Sequence, residues 1–353
     1  MHVLHLDLGP ELRGGQKQVL YLLDHLASVP GINTSLGCLS GSSLERAASG
    51  DTEVFSFPSR QEIDPRNWVR LFSALREKKP AIVHTHEPRS ASLAALFKQI
   101  SPFSFFLLHT RRVSYPLSGK WGRQKYACAD IVCCVSREVA DILVTSGVPE
   151  SRIRLVPSAI AVNRYKQRQV ESRASLSLGV IGALTPQKGH EVLFHSLTRV
   201  GIDFRLYVAG EGELLPDLVH LVRKLGLEDR VEFCGRVPAA ELLPRLDVAV
   251  IPSVDGEGSN AVIKEAWASG VPVVVSDLPS NTELVTHKRH GLVFPVRDPD
   301  TLASRIRELH ADPDLARSLV ENGLIRVKGF DVRTMGRTYA AIYARLADTR
   351  KGG

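Results

Sequence analysis

The sequence lacks the features of disulfide-stapled and membrane-spanning chains. Its five cysteines are an odd number without CxxC spacing, so neither a disulfide framework nor a zinc site is indicated. No apolar run approaches the roughly 18 residues of a transmembrane helix, and residues 2–8 resemble a strand rather than a signal peptide. We therefore expect a chain without leader peptide or membrane span, in a reducing cytoplasm.

Two nucleotide-binding motifs are also absent. The chain has neither the GxGxxG of dinucleotide-linked dehydrogenases nor the GxxxxGK[ST] of P-loop ATPases, so both classes are disfavoured. What is present is an ordinary globular composition, with 44% hydrophobic and 24% charged residues. Its 353 residues predict two domains at roughly 100 to 200 residues each, and its formal net charge of +7 makes anionic partners plausible.

Short apolar runs alternate with amphipathic stretches along the chain, which predicts an α/β fold of parallel strands joined by helices. A polar stretch at 157–175 predicts a linker between two Rossmann-like domains, 1–165 and 166–331, and a helix near 332–347 is expected to pack back on the first domain. Parallel sheets bind ligands at the carboxyl ends of their strands, so we expect a site in a cleft between the domains. The predicted strands are 3–8, 34–39, 54–57, 81–86, 105–109, 131–135, 178–182, 205–209, 231–234, 248–251, 271–275 and 292–294.

The first strand of each domain leads into a turn that suits an anion. Gly14 and Gly15 precede a helix, where backbone amides can approach a phosphate or a sugar, although a flexible turn is the competing interpretation. Lys188 stands at the start of a helix, where a cation is unfavourable unless an anion lies before it. We favour a phosphate contact over a solvated surface lysine.

Two carboxylates, Glu257 and Glu265, follow the strand predicted at 248–251. If one helix reached both, they would be separated by about 12 Å of axial rise. Hydrolytic carboxylate pairs lie only about 5 to 9.5 Å apart. The two side chains are therefore expected to hold different parts of one extended ligand.

The segment PSVDGEGSNAVIKEAWASGVPVVVSD at 252–277 resembles the motif of glycosyltransferase family 4, in which two glutamates separated by seven residues lie within PS…EG…EA.A.G.PVV. Similar segments occur in the family's order over residues 1–345: RGGQKQVL near the start, LLHTRR at 107–112, GALTPQKG at 182–189, VAGEGE at 208–213 and FCGRVPAAELLPRLDVAVIPS at 233–253. The resemblance implies the GT-B fold, two Rossmann-like domains facing each other across a cleft, and transfer of a sugar with retention at the anomeric carbon.

The resemblance also implies roles for single residues. Glu257 would contact the transferred sugar, Glu265 the ribose hydroxyls and Lys188 the diphosphate. His109 would lie near the donor sugar, with a packing histidine at a strand end as the alternative. The loop, backbone and base contacts expected around the donor are Gly14, Gly15, Arg236, Val237, Gly258, Ser259 and Asn260.

One departure from the family pattern concerns charge. Ala183 stands where the family has an arginine that helps to neutralise the diphosphate. Either Lys188 with helix N-terminal amides suffices, or another cation substitutes, the candidates being Arg111, Arg112 and Lys17.

Neither a metal nor another cofactor is expected. The sequence Asp298-Pro299-Asp300 matches DxD formally but reads as the start of a helix. His84 and His86 would lie on one face of a strand, and two imidazoles without a nearby third ligand make a poor metal site. We predict activity without a divalent cation.

The segment 111–126 carries five cations and no acid, interleaved with aromatic and aliphatic residues. It suits an anionic membrane surface or a phosphorylated glycolipid acceptor; an ordinary basic helix with core aromatics is the alternative. A similar HTRR segment occurs in family members of bacterial lipopolysaccharide and cell-envelope synthesis. No nucleic-acid-binding module is visible, so no nucleic-acid partner is expected.

These observations predict a cytoplasmic glycosyltransferase, peripheral on the inner face of the plasma membrane. Its donor would be a nucleotide-diphosphate sugar, with UDP favoured over GDP. Its acceptor would be a glycan or glycolipid of the cell envelope, as in lipopolysaccharide synthesis. A sugar-nucleotide epimerase of the same fold and a non-catalytic nucleotide-sugar-binding protein are the alternatives. The donor sugar, the acceptor linkage and the oligomeric state are not encoded in any recognisable motif.

Overall fold

The computed structural model describes residues 1–48, 52–117, 119–168, 175–255 and 258–351. The chain forms two compact units. The first contains Met1–Ala159 together with the C-terminal segment from Val332, and the second is Ile160–Asp331. Both are parallel sheets covered by helices, so the expected α/β class with two Rossmann-like domains is confirmed.

The strands and helices alternate from the N-terminus onward. The strands are β1 (His2–Asp7), β2 (Asn33–Leu39), β3 (Glu53–Phe57), β4 (Ile82–Thr85), β5 (Phe106–Arg111), β6 (Ile131–Cys134), β7 (Ile153–Leu155), β8 (Leu176–Ile181), β9 (Phe204–Ala209), β10 (Val231–Gly235), β11 (Val248–Ile251), β12 (Val273–Ser276) and β13 (Leu292–Phe294). The helices are α1 (Gly14–Leu26), α2 (Ser43–Ala47), α3 (Pro65–Lys78), α4 (Pro88–Ile100), α5 (Gly119–Ala127), α6 (Arg137–Thr145), α7 (His190–Leu197), α8 (Leu215–Lys224), α9 (Ala239–Leu242), α10 (Ala261–Ala268), α11 (Pro279–Leu284), α12 (Pro299–Ala311), α13 (Pro313–Val327) and α14 (Val332–Lys351).

The sheet of the first unit has the strand order β3-β2-β1-β4-β5-β6-β7. Its central strands β1 and β4 are buried along almost their whole length, as expected of a parallel sheet covered on both faces, although they contain polar residues such as His5, Asp7 and His84. Helix α14 completes this unit, because Met335, Tyr339 and Tyr343 are buried in one cluster with Leu22 and Leu26 of α1. The C-terminal helix thus belongs to the core of the unit that the N-terminus begins.

The sheet of the second unit has the order β10-β9-β8-β11-β12-β13. Its core includes Trp267 of α10, which is fully buried and donates from its indole nitrogen to the carbonyl of His290 at 2.8 Å. The order of strands reverses between β8 and β11, as it does between β1 and β4 in the first unit. Such reversals open a crevice at the carboxyl ends of the strands.

The boundary between the two units, after Ala159, falls within the stretch 157–175 that was expected to be a linker, and the described residues from Ile160 to Arg168 belong to the second unit. The Tyr165 hydroxyl donates to Glu265 at 2.8 Å, and the Arg168 guanidinium pairs with Asp247. These polar side chains bond into the second unit, so the chain is anchored there despite its weak apolar periodicity. The strand β7 was not predicted, because its three residues carry too short an apolar pattern. Within the described residues, no helix is long and apolar enough to cross a membrane.

Candidate functional site

The strand reversal in the second unit brings three polar residues together, of which Lys188 and Asn260 were predicted site residues and Ser253 was not. Lys188 follows β8, Ser253 follows β11, and Asn260 immediately precedes α10; all three line one crevice with the ends of both strands. A cation, a hydroxyl and an amide at the start of a helix form a surface that favours an anion. Lys188 thus lies at the carboxyl ends of the strands, and its contact with a diphosphate stays a prediction.

Gly189 explains how Lys188 reaches this crevice. Its backbone is left-handed, with φ of 64°, and a Cβ atom there would lie 2.1 Å from the carbonyl oxygen of Pro252. The turn before α7 therefore packs directly on the end of β11 only because residue 189 has no side chain. The Lys188 side chain passes over Gly182, where a Cβ atom would lie 3.3 Å from the lysine Cε.

Asn260 is both the cap of α10 and part of the crevice. Its side-chain oxygen accepts from the amide of Val262 at 3.2 Å, and its Nδ2 lies 3.5 Å from Oδ1 of Asn281. The buried Lys264 Nζ donates to the Ser259 hydroxyl oxygen at 2.6 Å. Burial lowers the pKa of Lys264 to about 7, the carboxylates of Glu265 and Glu283 opposing this shift. These hydrogen bonds hold Ser259 and Asn260, which lead into α10, in place.

Glu265 lies on α10 and is held by a residue that sequence reasoning missed. The Tyr165 hydroxyl donates to its Oε1 at 2.8 Å, which orients the carboxylate. No pattern around Tyr165 indicates this contact, since the tyrosine stands in a polar stretch far away in sequence. Glu257 lies outside the described residues. Helix α10 begins at Ala261, with Asn260 as its cap.

The other predicted donor contacts in the second unit follow strand ends. Arg236 and Val237 come directly after β10; Arg236 is exposed and Val237 is half-buried. Gly258 and Ser259 are half-buried and precede the cap residue Asn260. All four lie in segments that follow β10 or β11, and their contacts with a donor stay predictions.

In the first unit, Gly14 and Gly15 form the start of α1, with Gly14 exposed and Gly15 half-buried. Behind them the Asp7 carboxylate accepts from Gln16 Nε2 at 3.0 Å and from the amide of Gly9 at 2.8 Å. Burial raises the pKa of Asp7 to about 6. Asp7 was not predicted as a site residue, although an acid at the end of an apolar strand, just before a glycine-rich loop, is a usable signal.

His84 and His86 have a third imidazole beside them, so the expectation that no third ligand lies nearby is wrong. His5 of β1 pairs in register with His84 of β4, and ring nitrogens of the three histidines lie within 4.8 Å of one another. His84 bonds Tyr343 at 2.6 Å and Thr110 at 2.7 Å through its two nitrogens. These hydrogen bonds, rather than a missing ligand, argue against a metal at this cluster.

The same cluster holds Arg112. Its Nη1 donates to the carbonyl of His86 at 3.0 Å, and its Nη2 lies 3.3 Å from His86 Nδ1. A guanidinium only donates, so His86 carries its proton on Nε2 and donates to His5 Nδ1 at 2.9 Å. Burial and the charge of Arg112 hold the pKa of His86 well below its ordinary value. A neutral His86 therefore holds the positively charged guanidinium of Arg112 in place.

Of the three cations considered as substitutes at Ala183, Arg112 is the one beside the predicted glycine loop. A Cβ atom on Gly15 would lie 3.9 Å from Arg112 Cδ. Arg111 is buried and bonds the carbonyl of Tyr115 and the hydroxyl of Tyr126. Lys17 is an exposed residue of α1. Of the three, Arg112 is thus the cation next to the glycine turn within the first unit.

His109 is buried at the end of β5, with both ring nitrogens bonded inside the first unit. Nδ1 bonds the Thr85 hydroxyl, and Nε2 donates to the carbonyl of Lys125 at 3.1 Å. Burial lowers the pKa of His109 to about 3, and its ring packs edge-on against Tyr126. These contacts favour the packing alternative stated for this residue.

The basic segment 111–126 combines both of its proposed characters. Tyr126 is buried, as expected of a core aromatic. Tyr115 is 53% exposed and Trp121 is 36% exposed, while Lys120 and Arg123 are exposed cations; residue 118 lies outside the described residues. A mixed aromatic and basic surface is therefore available on α5 and the loop before it.

Asp298 has the structural role that was predicted for it. Its carboxylate accepts from the amides of Asp300 and Thr301 at 3.0 Å, as the N-cap of α12. The DxD sequence is a helix start.

Two family models match the chain in succession and define its class. The model described as Glycosyltransferase Family 4 matches residues 12–164, and the model described as Glycosyl transferases group 1 matches residues 175–312. With the GT-B fold, these matches make the protein a glycosyltransferase. It belongs to glycosyltransferase family 4.

Similar proteins include enzymes and solved structures. The UDP-Gal:alpha-D-GlcNAc-diphosphoundecaprenol alpha-1,3-galactosyltransferase of Escherichia coli is 24% identical, over 93% of this chain and 94% of its own length. The GDP-mannose-dependent alpha-(1-6)-phosphatidylinositol monomannoside mannosyltransferase of Mycobacterium tuberculosis is 28% identical over 63% of this chain and 62% of its own. The crystal structure of Anabaena HepE in complex with UDP and glucose has a TM-score of 0.83 and 18% identity, covering 98% of this chain and 100% of that one.

Proposed function

We propose that the protein transfers a sugar from a UDP-sugar to a lipid-linked acceptor of the bacterial cell envelope, with retention at the anomeric carbon. The observation that carries this proposal is the crevice at the strand reversal of the second unit, where Lys188, Ser253 and Asn260 meet next to the helix that bears Glu265. A diphosphate suits the cation and the helix start, and Glu265 suits ribose hydroxyls.

The chemistry asked of these residues is mainly electrostatic. As the bond between the anomeric carbon and the phosphate oxygen breaks, negative charge collects on the leaving diphosphate. The Lys188 ammonium and the amides at the start of α10 stabilise that charge. The acceptor oxygen then bonds to the same face of the anomeric carbon, and its proton passes to the leaving phosphate. This route balances without a metal ion, so we propose that none is required.

Other predicted residues keep narrower roles in this proposal. Glu257 contacts the transferred sugar, a role taken from the family resemblance. We assign His109 to holding α5 against β5 rather than to bonding a sugar, because both of its nitrogens already have partners.

A UDP donor and an envelope acceptor are supported by similar proteins. The E. coli relative is named for UDP-galactose and a diphosphoundecaprenol acceptor, and HepE was solved with UDP and glucose. The mycobacterial relative is named for GDP-mannose and also acts on a lipid, so both donors need testing. A lipid-linked acceptor fits a protein that acts at the inner face of the membrane, where the basic segment 111–126 would meet anionic lipid.

The direct test is a donor screen with defined products. The full chain is incubated with UDP-galactose, UDP-glucose, UDP-N-acetylglucosamine or GDP-mannose, with and without a diphosphoundecaprenol-linked acceptor. Nucleotide release and the anomeric configuration of the product are then measured. We expect acceptor-dependent release of UDP, an axial product from an axial donor, and activity that persists with a chelator. Interconversion of the donor without nucleotide release, or a GDP-only enzyme, would contradict the proposal.

A further inference from the structure

An apolar groove of about 680 Å³ lies in the first unit between helix α14 and the edge strand β7. One wall is a stripe of α14 that recurs every three to four residues, including Arg337, Ala341 and Arg345. The other wall is the edge strand β7, through Arg154 and Leu155. A groove of this volume is in the range of small-molecule sites.

The floor of the groove is apolar. Ile342 and Leu346 are half-buried, and Leu155 is 41% exposed although it is a large aliphatic residue on a strand. Exposed aliphatic side chains that line a groove mark a surface where an apolar ligand replaces water. The groove therefore favours a hydrocarbon chain along its length.

The rim of the groove is cationic. Arg154, Arg337 and Arg345 all line it, and its described lining contains no acidic residue. The guanidinium of Arg154 is fixed by the carbonyls of Ser151 and Ile153, each at 2.8 Å. Three guanidinium groups around a hydrocarbon-sized channel match a ligand with an apolar body and an anionic head.

We infer that this groove binds one anionic phospholipid of the membrane surface, with an acyl chain over Leu155, Ile342 and Leu346 and the phosphate toward Arg337 and Arg345. The charge complementarity of the rim selects the acidic headgroup, and the apolar floor selects a lipid over a free phosphate. This site is separate from the basic segment 111–126 and does not depend on which donor the enzyme uses.

Helix α14 offers a matched pair of variants that tests this inference. Ala341 and Ala344 are both exposed alanines, and only Ala341 lines the groove. Ala341→Glu places a negative charge among the arginines, whereas Ala344→Glu makes the same chemical change outside the groove. Arg345→Gln and Arg333→Gln form a second pair of exposed arginines on the same helix, of which Arg345 alone lines the groove.

The measurement is cosedimentation of the full chain with phosphatidylcholine vesicles, with and without phosphatidylglycerol. We expect Ala341→Glu and Arg345→Gln each to weaken binding to the acidic vesicles about fivefold. The control variants Ala344→Glu and Arg333→Gln should change this binding little. Equal effects within each pair, or binding lost only by neutralising Lys120 and Arg123, would overturn the inference. Thermal unfolding of each variant confirms that it is folded.

Soluble ligands separate the lipid from its headgroup. Monomeric dihexanoylphosphatidylglycerol should bind the wild-type chain and compete with vesicles, and Ala341→Glu should weaken this binding. If glycerol phosphate bound as tightly as dihexanoylphosphatidylglycerol, the groove would be a phosphate site and the inference of a lipid site would be overturned. A dimer that Ala341→Glu dissociates would assign the groove to a second copy of the chain. Transfer to a soluble acceptor should be equal in all four variants, so failure here is distinguishable from failure of the proposed reaction.

Discussion

The two sheets reverse their strand order in the same way but fill the resulting crevice differently. In the first unit, the side chains at the reversal bond one another: Asp7 is bonded to Gln16, and His86 to Arg112. In the second unit, Lys188 and Asn260 line a crevice at the start of α10. The same topology thus places a buried aspartate and buried histidines at one reversal, and at the other a lysine beside a capped helix start, which suits an anion. Topology places a site, and the side chains at the strand ends decide its use.

The largest effect should come from removing the cation of the second unit. Lys188→Met should lower the rate of transfer about 100- to 1000-fold, because the charge on the leaving diphosphate is no longer stabilised. Steady-state kinetics with the best donor of the screen measure this effect. Lys224→Met, which removes an exposed lysine of α8, is the control and should retain activity. Similar rates for the two variants would remove the contrast between the units.

The next effect concerns the turn that positions this lysine. Gly189→Ala should lower the free energy of unfolding by about 2 to 4 kcal/mol, because its Cβ atom would overlap the carbonyl of Pro252. Gly226 has nearly the same left-handed φ, 66° against 64°, but open space around it. Gly226→Ala should therefore cost only about 1 kcal/mol. Thermal and denaturant unfolding compare the two, and equal losses would show that the contact with β11 is unimportant.

The third prediction tests the network of the first unit through pH. The pKa of Asp7 is raised to about 6, so the folded chain binds its proton more tightly than the unfolded chain does. Its stabilising contribution is complete below about pH 4 and is lost as the pH rises through 6. The wild-type chain should therefore lose about 2 to 3 kcal/mol between pH 4 and 7 relative to Asp7→Asn. Parallel pH profiles for the two proteins would show that the carboxylate ionises normally.

The smallest effect should come from Tyr165→Phe, which leaves Glu265 without the hydroxyl that orients it. One hydrogen bond to a charged group is worth about 1.5 kcal/mol, so KM for the donor should rise about tenfold while kcat changes little. Glu265→Gln tests the carboxylate itself and should raise KM at least as much. A fall in kcat with unchanged KM would place Tyr165 in the transfer step instead.

Most of the fold follows from local sequence. Apolar, β-branched runs such as those at β11 and β12 predict strands, and the alternation of strands with helices predicts parallel sheets. The strand β7 is different, because its three residues include Arg154 and leave no periodic signal. It is held by pairing with β6, which is tertiary information.

The candidate site was predictable only where its residues lie within one motif. Lys188, Asn260 and Glu265 stand in short segments with recognisable glycines and helix starts. The contacts of Tyr165 with Glu265 and of His5 with His86 join residues that are far apart in sequence, so they depend on strand register and chain path. The hydrogen bonds to both ring nitrogens of His109 likewise join residues of β4, β5 and α5, so they depend on how these elements pack together.

The packing of α14 against α1 affects how the protein is made. Tyr339 and Tyr343 complete the core of the first unit, yet the ribosome produces them only after the whole second unit has been translated. Domains generally fold as they emerge. The sheet of the first unit therefore remains without α14, and so incompletely covered, until the second unit has been synthesised. A chaperone that binds this chain during translation would therefore be expected at the apolar surface of β1 and α1, which α14 covers later.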